Sequence, residues 1–269
     1  MPTDNVAFVG SIPENYDRYL GRVLFDPYAA DLVARLHLPP DAAVLELACG
    51  TGIVTRRLRD RLGVGATLVA TDLNEAMLGF AKNKFRAEEK VEWKRADATD
   101  LAFADRSFDY VVCQFGVMFF PDKEKAAREA YRVLKPGGTF LFNVCDAIEL
   151  NDLPHVAHTI IAKFFADNPP DFYQVPFSFY DRETIRTLLT AAGFKDIQLS
   201  EVALPASSPS VRELTKGLVH GNPVINAIRE RDEASIPEIE AGIAAAVAAQ
   251  FGSAPVRAQM NAVVCAAVK

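Results

Sequence analysis

The sequence has few of the residues that hold metal ions or form disulfides. It contains four cysteines and four histidines among 269 residues, and no two cysteines have C-x-x-C spacing. The cysteines lie among apolar residues, which is typical of small buried side chains. We therefore predict neither a metal site nor a disulfide framework.

Long apolar runs and clusters of basic residues are also missing. The longest strongly apolar stretch, residues 241–251, is much shorter than the ~20 residues of a membrane-spanning helix. The first residues, MPTDNVAF, lack the basic region and apolar run of a secretory signal. Asp and Glu outnumber Lys and Arg by 35 to 29, and the basic residues are scattered, which disfavours nucleic acid and membrane as partners. These features predict a cytoplasmic protein, and they leave its oligomeric state open.

The chain alternates short apolar runs with helical patterns. Such alternation is typical of βαβ units that build a parallel sheet. We predict an α/β, Rossmann-like fold, in which helices cover both faces of a mostly parallel seven-stranded sheet and the last strand is antiparallel. The predicted strands are 43–47, 67–71, 91–96, 108–113, 139–144, 197–204 and 262–268.

We expect one domain, 1–269, with a helical cap at 1–40. The core is predicted to comprise 41–145, 181–204 and 258–269. Two other segments, an aromatic insert (146–180) and a helical insert (205–257), leave the carboxyl ends of strands, where ligands bind in such sheets, so both are predicted lids. The aromatic insert fits either an apolar substrate pocket or the packing of a lid helix.

The most informative segment is VLELACGTG at 44–52, where a predicted strand turns into a helix through two glycines. Gly50 and Gly52 permit close approach of the backbone to a ligand, and the following helix N-terminus offers free N–H groups. A tight turn without a ligand is the alternative interpretation.

Acidic residues end the next two predicted strands. Asp72 follows the glycines by about 20 residues, where a carboxylate can bind two ribose hydroxyls. Its alternative role, capping the next helix, is already available to Asn74. Asp97 is placed to accept a hydrogen bond from an adenine amino group while the Ala98 N–H reaches a ring nitrogen, or it is an ordinary turn aspartate.

Five short elements occur in a fixed order along this core. They are residues 46–52, Asp72, 95–98 (RADA), 108–112 (FDYVV) and 134–138 (LKPGG). In order and spacing they resemble the class I S-adenosylmethionine-dependent methyltransferases, and are most similar to the branch with ubiquinone and menaquinone biosynthesis enzymes. The resemblance covers about residues 16–204. It implies that S-adenosylmethionine donates a methyl group, by in-line displacement, to a small molecule, leaving S-adenosylhomocysteine. If the aromatic insert forms a substrate pocket, that molecule is apolar or aromatic.

The resemblance also implies residue roles. Gly50 and Gly52 would cradle the methionyl portion, Glu46 would order its amino-acid end, and Asp72 would hold the ribose. Ala48 stands where many members have glycine, and we expect it to need only an ordinary backbone conformation. The predicted cofactor-binding residues are Tyr16, Glu46, Ala48, Gly50, Gly52, Asp72, Leu73, Met77, Asp97, Ala98, Gln114 and Phe115.

No catalytic residue is required, because alignment of an activated methyl group supplies most of the rate enhancement. If the acceptor must lose a proton, a general base would help. The candidates, chosen by location in predicted lid segments, are Tyr16, His155, His158, Tyr173 and His220. Each histidine has a structural role as its alternative.

Two other functions stay open at this point. A nicotinamide-dependent reductase would need a third glycine, but Thr55 occupies that position. A module that binds S-adenosylmethionine without catalysis would keep the same fold and the same motifs.

Overall fold

The computed structural model describes residues 7–269, in which seven strands form one sheet. The strands are β1 (Ala43–Glu46), β2 (Thr67–Asp72), β3 (Val91–Arg95), β4 (Phe108–Gln114), β5 (Leu134–Cys145), β6 (Lys195–Ser208) and β7 (Val256–Val268). Their order in the sheet is β3-β2-β1-β4-β5-β7-β6. Only β7 runs antiparallel to its neighbours β5 and β6, and the remaining described pairs are parallel. The predicted fold class is confirmed.

Helices cover both faces of the sheet. They are α1 (Ile12–Asn15), a π-helix (Tyr16–Phe25), α2 (Asp26–Ala34), α3 (Ile53–Arg61), α4 (Glu75–Lys82), α5 (Lys123–Val133), α6 (Asp152–Phe164), α7 (Arg182–Ala192), α8 (Val211–His220), α9 (Val224–Asp232) and α10 (Ile236–Phe251). Alternate residues of β1 belong to different apolar clusters, Val44 to one and Leu45 to the other. Since successive strand side chains point to opposite faces, each face of the sheet has its own core.

The last two strands are longer than predicted. β6 continues past the predicted end at Leu204 to Ser208, and β7 begins at Val256 rather than at 262. The added residues pair with each other, from Pro205 opposite Gln259 to Ser208 opposite Val256. Proline and serine hide this strand in the sequence, but β6 is an edge strand, where proline is tolerated.

The predicted helix cap at Asn74 is confirmed. Its side-chain oxygen accepts hydrogen bonds from the N–H groups of Ala76 (2.9 Å) and Met77 (3.1 Å). Such a cap satisfies two of the free N–H groups at the start of α4. Asp72 is therefore not needed as the cap of α4.

The N-terminal helices pack on the helical insert. A Cβ atom at Gly217 of α8 would lie 2.7 Å from Leu20 Cδ2 of the π-helix, so α8 approaches the π-helix closely. α10 in turn packs against α6 and α8. In residues 7–269 no helix is long and apolar enough to span a membrane. All four cysteines are buried and free.

Candidate active site

A cavity of about 380 Å³ lies at the carboxyl ends of the central parallel strands. Leu47 follows β1, Asp72 ends β2, Gln114 ends β4 and Cys145 ends β5, and all four line the cavity. This edge is where the sheet topology predicts a ligand. The predicted cofactor residues in its wall are Tyr16, Ala48, Gly50, Asp72, Leu73, Met77, Asp97, Ala98, Gln114 and Phe115.

Two predicted cofactor residues lie outside this wall. Glu46 lines a small adjoining cavity of about 30 Å³, which shares Tyr16, Ala48, Gly50 and Gln114 with the main cavity. Gly52 lines neither cavity. A Cβ atom there would lie 3.1 Å from Ala81 Cβ, so this glycine permits α4 to pack against the start of α3.

The loop after β1 has an unusual backbone. Gly50 has a φ of +55° with open space where a Cβ atom would be, and Gly52 has a φ of +80°. Our expectation of an ordinary conformation at Ala48 is wrong, since its φ is +51°. Such a conformation costs a residue with a Cβ atom roughly 1–2 kcal/mol. The strain lies beside the ligand cavity, where backbone strain is commonly concentrated.

Asp72 joins two loops around the cavity. Its Oδ2 accepts a hydrogen bond from the Gly50 N–H, and its Oδ1 accepts one from the Asn74 N–H, both at 2.8 Å. Burial raises the pKa of this carboxyl group, while the backbone donors act in the opposite direction. Asp72 therefore orders the glycine loop as well as lining the cavity.

Glu46 is a buried carboxyl group that has no cationic partner in the described part of the chain. It is 2% exposed, and its Oε2 accepts no hydrogen bond from residues 7–269. Burial raises its pKa to about 8, and Thr55 opposes the shift only in part. A cationic group in the adjoining cavity would stabilise the charged form of Glu46.

The loops after β2 and β3 combine apolar side chains with a carboxylate in the cavity wall. Leu73 is 52% exposed despite its apolar side chain. Met77 and Ala98 are buried beside it in the cavity wall. Asp97 Oδ1 accepts hydrogen bonds from the N–H and the hydroxyl of Thr99, both at 2.8 Å. An exposed apolar side chain next to turn carboxylates suits a flat ring with polar edges.

Asn143 is a supporting residue that the sequence analysis missed. It is fully buried in β5, and its Oδ1 accepts a hydrogen bond from the Phe115 N–H at 2.9 Å. Phe115 has a φ of +49°, so Asn143 holds this cavity residue in a strained conformation. The sequence signal that could have revealed this residue is a single amide side chain in the otherwise apolar strand TFLFNVC.

Aromatic side chains from the N-terminal segment, residues 8–25, cover the cavity. The rings of Tyr16 and Phe25 stack with centroids 4.6 Å apart, and Phe8 meets Tyr16 edge to face. Asp17 pairs with Lys84 at 2.6 Å, and the same ammonium donates to the Thr51 carbonyl at 3.0 Å. Lys84, which follows α4, thus links the π-helix to the glycine loop.

The aromatic insert supplies the opposite end of the cavity. Phe172, Tyr173 and Phe177 are buried and line it, whereas Phe164 and Tyr180 are more than a third exposed. These three side chains are therefore both packed in the interior and part of the cavity wall. The structure fits both interpretations of the insert.

The candidate bases fall into two groups. Tyr16 and Tyr173 line the cavity, but burial raises the pKa of both hydroxyls, so both stay neutral phenols near neutral pH. The histidines do not line it. Nε2 of His220 lies 2.9 Å from Glu240 Oε1, and burial together with His155 lowers the pKa of His158. The geometry therefore places no ionisable base among these five candidates at the cavity.

Comparison with known proteins identifies the family. A family described as a methyltransferase domain matches residues 45–142. The chain is 30% identical over 203 residues to a demethylmenaquinone methyltransferase of Staphylococcus epidermidis, covering 70% of this chain and 83% of the relative. It is 32% identical over 173 residues to a ubiquinone/menaquinone biosynthesis C-methyltransferase of Idiomarina loihiensis, covering 57% and 66%.

Solved structures agree on the fold. A Haemonchus contortus phosphoethanolamine N-methyltransferase, in complex with phosphomonomethylethanolamine and S-adenosylhomocysteine, has a TM-score of 0.60 at 20% identity and covers 96% of this chain and 56% of its own. A methyltransferase of Aquifex aeolicus has a TM-score of 0.53 at 18% identity, covering 71% and 91%. The chain belongs to the class I S-adenosylmethionine-dependent methyltransferases, and it methylates a small molecule.

Proposed function

We propose that this protein methylates an apolar, ring-bearing molecule held at the aromatic end of the cavity. The observation that carries the proposal is one continuous cavity with two different ends. Asp72, Asn74 and Asp97 lie at the ends of β2 and β3, on one side of β1 in the sheet. Phe172, Pro176 and Phe177 belong to the insert that leaves β5, on the other side. A polar donor and an apolar acceptor can therefore lie in contact within the same cavity.

The residues at the polar end fit S-adenosylmethionine. Gly50 has open space at its Cβ position and a backbone that can approach the methionyl portion. The buried Glu46 carboxyl group suits the ammonium of the amino-acid end, and Asp72 suits the ribose hydroxyls. Leu73 packs on adenine in this proposal. Met77 and Ala98 lie beside Leu73, while Asp97 reads the adenine edge.

Other residues complete the proposed cofactor site. Tyr16 covers it from the π-helix, and Ala48 shapes the loop after β1. Gln114 and Phe115 form the floor, where Gln114 Nε2 also donates to the Phe25 carbonyl at 3.1 Å. Gly52 acts indirectly in this proposal, by letting α4 pack on the glycine loop.

The chain's own contribution to the reaction is alignment and exclusion of water. When bound, S-adenosylmethionine supplies a methyl group on a positively charged sulfur, which is already activated for displacement. Holding the acceptor in line with that group is worth about 7–11 kcal/mol of the barrier. Phe115, Met118 and Phe119 follow β4, which lies between β1 and β5 in the sheet, and they add apolar surface to the cavity wall. Such surface keeps bulk water from the reacting atoms.

A quinol-type acceptor is the first to test. The relatives from Staphylococcus epidermidis and Idiomarina loihiensis are named for menaquinone and ubiquinone biosynthesis. A reduced quinone precursor is an apolar ring compound, which suits the aromatic wall. The net charge of −6 supports such an acceptor over nucleic acid. The cytoplasmic location predicted from the sequence stays a prediction.

The test is methyl transfer to two acceptors of different chemistry. Protein and S-adenosylmethionine with a deuterated methyl group are incubated with a short-chain demethylmenaquinol or with phosphoethanolamine. Mass spectrometry then follows the label. We expect labelled quinol and no labelled phosphoethanolamine. Labelled phosphoethanolamine alone contradicts the apolar acceptor, and labelled product from the Asp72→Ala variant at the wild-type rate contradicts the proposed cofactor site.

A further inference from the structure

The aromatic end of the cavity contains one polar pair. Of the lining residues that residues 146–269 contribute, only Tyr173 and Asn222 carry an amide or a hydroxyl group. Both are buried, Tyr173 at 4% exposure and Asn222 at 7%. Polar groups at such positions in an apolar wall fix the orientation of a ligand and select its chemistry.

The hydrogen-bond donors of Tyr173 and Asn222 are both used within the protein. The Tyr173 hydroxyl donates to the Leu218 carbonyl at 2.7 Å. Asn222 Nδ2 donates to the same carbonyl at 3.3 Å and lies 3.5 Å from the Tyr173 hydroxyl oxygen. The Asn222 carboxamide oxygen accepts no hydrogen bond from residues 7–269 and is not among the fully buried atoms. The pair therefore offers the cavity a hydrogen-bond acceptor.

Close helix packing fixes the position of Asn222. This residue follows α8, whose last turn contacts the π-helix through Gly217 and Gly221. A Cβ atom at Gly221 would lie 3.2 Å from Leu20 Cδ1 and 3.3 Å from Tyr16 Cα. Since Tyr16 also lines the cavity, the polar pair is held in register with the proposed cofactor site.

We propose that Asn222, oriented by Tyr173 and the Leu218 carbonyl, determines acceptor specificity by binding a hydroxyl or N–H group of the methyl acceptor. This inference rests on the proposed function, because it assigns the acceptor to the aromatic end. A methyl acceptor with a hydroxyl or N–H group donates a hydrogen bond to the Asn222 amide oxygen, which the bound molecule covers. One that carries only an ether or carbonyl oxygen, or no polar group, leaves it without a partner at a cost of about tenfold or more in affinity.

The test uses three probes of similar shape on protein saturated with S-adenosylhomocysteine. They are 2-naphthol, which has a donor, 2-methoxynaphthalene, which keeps the oxygen without the hydrogen, and naphthalene. Fluorescence titration gives the Kd of each. We expect 2-naphthol to bind about tenfold more tightly than the other two.

Two variants and a matched control assign that preference. Asn222→Leu removes the acceptor and is expected to abolish the preference while naphthalene still binds. Tyr173→Phe removes one of the groups that orient Asn222 and is expected to reduce the preference for 2-naphthol. Asn226→Leu changes the same residue type one turn further along, at a position that does not line the cavity, and is expected to keep the wild-type preference.

The affinity for S-adenosylhomocysteine separates the two proposals. If wild-type protein and Asn222→Leu bind it equally, the variant is folded and the probe data decide. Equal Kd values for the three probes, a preference for 2-methoxynaphthalene, absence of probe binding, or a preference that survives Asn222→Leu would each overturn this inference alone. Failure of wild-type protein to bind S-adenosylhomocysteine would overturn the proposed function and this inference with it.

Discussion

At the scale of single residues, two buried carboxyl groups with different surroundings dominate the cofactor end. Asp72 accepts backbone hydrogen bonds from two loops, whereas Glu46 Oε2 accepts none from residues 7–269. A buried carboxylate with a backbone donor to each oxygen is largely stabilised in place, but one with an unpartnered oxygen depends more on a ligand. The two residues therefore respond differently to substitution and to pH.

Replacement of Asp72 by alanine is expected to affect binding and folding together. The Gly50 and Asn74 N–H groups lose their acceptor, so the free energy of unfolding should fall by about 1–3 kcal/mol. Affinity for S-adenosylhomocysteine should fall about 100-fold, through the lost ribose contacts and the loosened loop. Calorimetry and urea unfolding measure the two effects. Asp60→Ala, which removes an exposed ion pair with Arg56, is the control and should change neither by more than about 1 kcal/mol.

Glu46 should make folding stability fall as pH rises. Its pKa is about 8 in the folded protein against 4.5 in the unfolded chain, so between these values the folded state holds a proton that the unfolded state has lost. The free energy of unfolding therefore decreases through this window. Urea unfolding at about pH 5 and about pH 9 should show a smaller decrease in Glu46→Gln than in the wild type.

Burial is what sets Glu46 apart from other glutamates in that experiment. Glu124 is 71% exposed, so Glu124→Gln should retain the wild-type pH dependence. An identical decrease in wild type and Glu46→Gln would show that Glu46 is not the group that titrates.

The sequence predicts residue types better than residue geometry. The glycine loop, Asp72 and Asp97 stand out because they end predicted strands. The positive φ of Ala48 does not, because alanine normally avoids that region and only the assembled loop imposes it. The role of Asn143 depends on Phe115, which is 28 residues away in sequence.

At the scale of elements, the contact with α8 keeps the π-helix in place over the cavity. Gly217 leaves room for Leu20 and Tyr19, to which a Cβ atom would lie at 2.7 and 2.8 Å. The helical cap was predicted as a helical segment, but its π-helical form was not. The i to i+5 hydrogen-bond pattern of this helix is rare, and no local periodicity of the sequence encodes it.

Gly217→Ala should lower the free energy of unfolding by about 1–3 kcal/mol, because the added methyl group must displace Leu20 or Tyr19. It should also weaken S-adenosylhomocysteine binding, since Tyr16 lies on the displaced helix. Urea unfolding and calorimetry report both. Gly79→Ala in α4 is the matched control: no atom lies within 4 Å of its Cβ position, so it should stabilise by about 0.5–1 kcal/mol. Equal effects of the two substitutions would argue against this account of the π-helix contact.

At the scale of the whole molecule, three segments outside the predicted core enclose one edge of the sheet. The N-terminal segment contributes Phe8 and Tyr16, the aromatic insert contributes Phe172, and the helical insert contributes Leu218 and Asn222. The mostly parallel sheet was predicted from the alternating pattern, because βαβ units leave few topologies, whereas the order of the strands was not predicted. The shape of the acceptor end did not, because it arises from contacts among segments far apart in the chain. The division into core and lids stays a proposal.

The most direct test of the central claim is calorimetric titration of the protein with S-adenosylmethionine and S-adenosylhomocysteine, with NADH as the control. The arrangement of Glu46, Gly50 and Asp72 predicts saturable binding of the first two ligands and none of NADH. Binding of NADH without binding of either methyl-donor ligand would contradict the assignment of this cavity to S-adenosylmethionine.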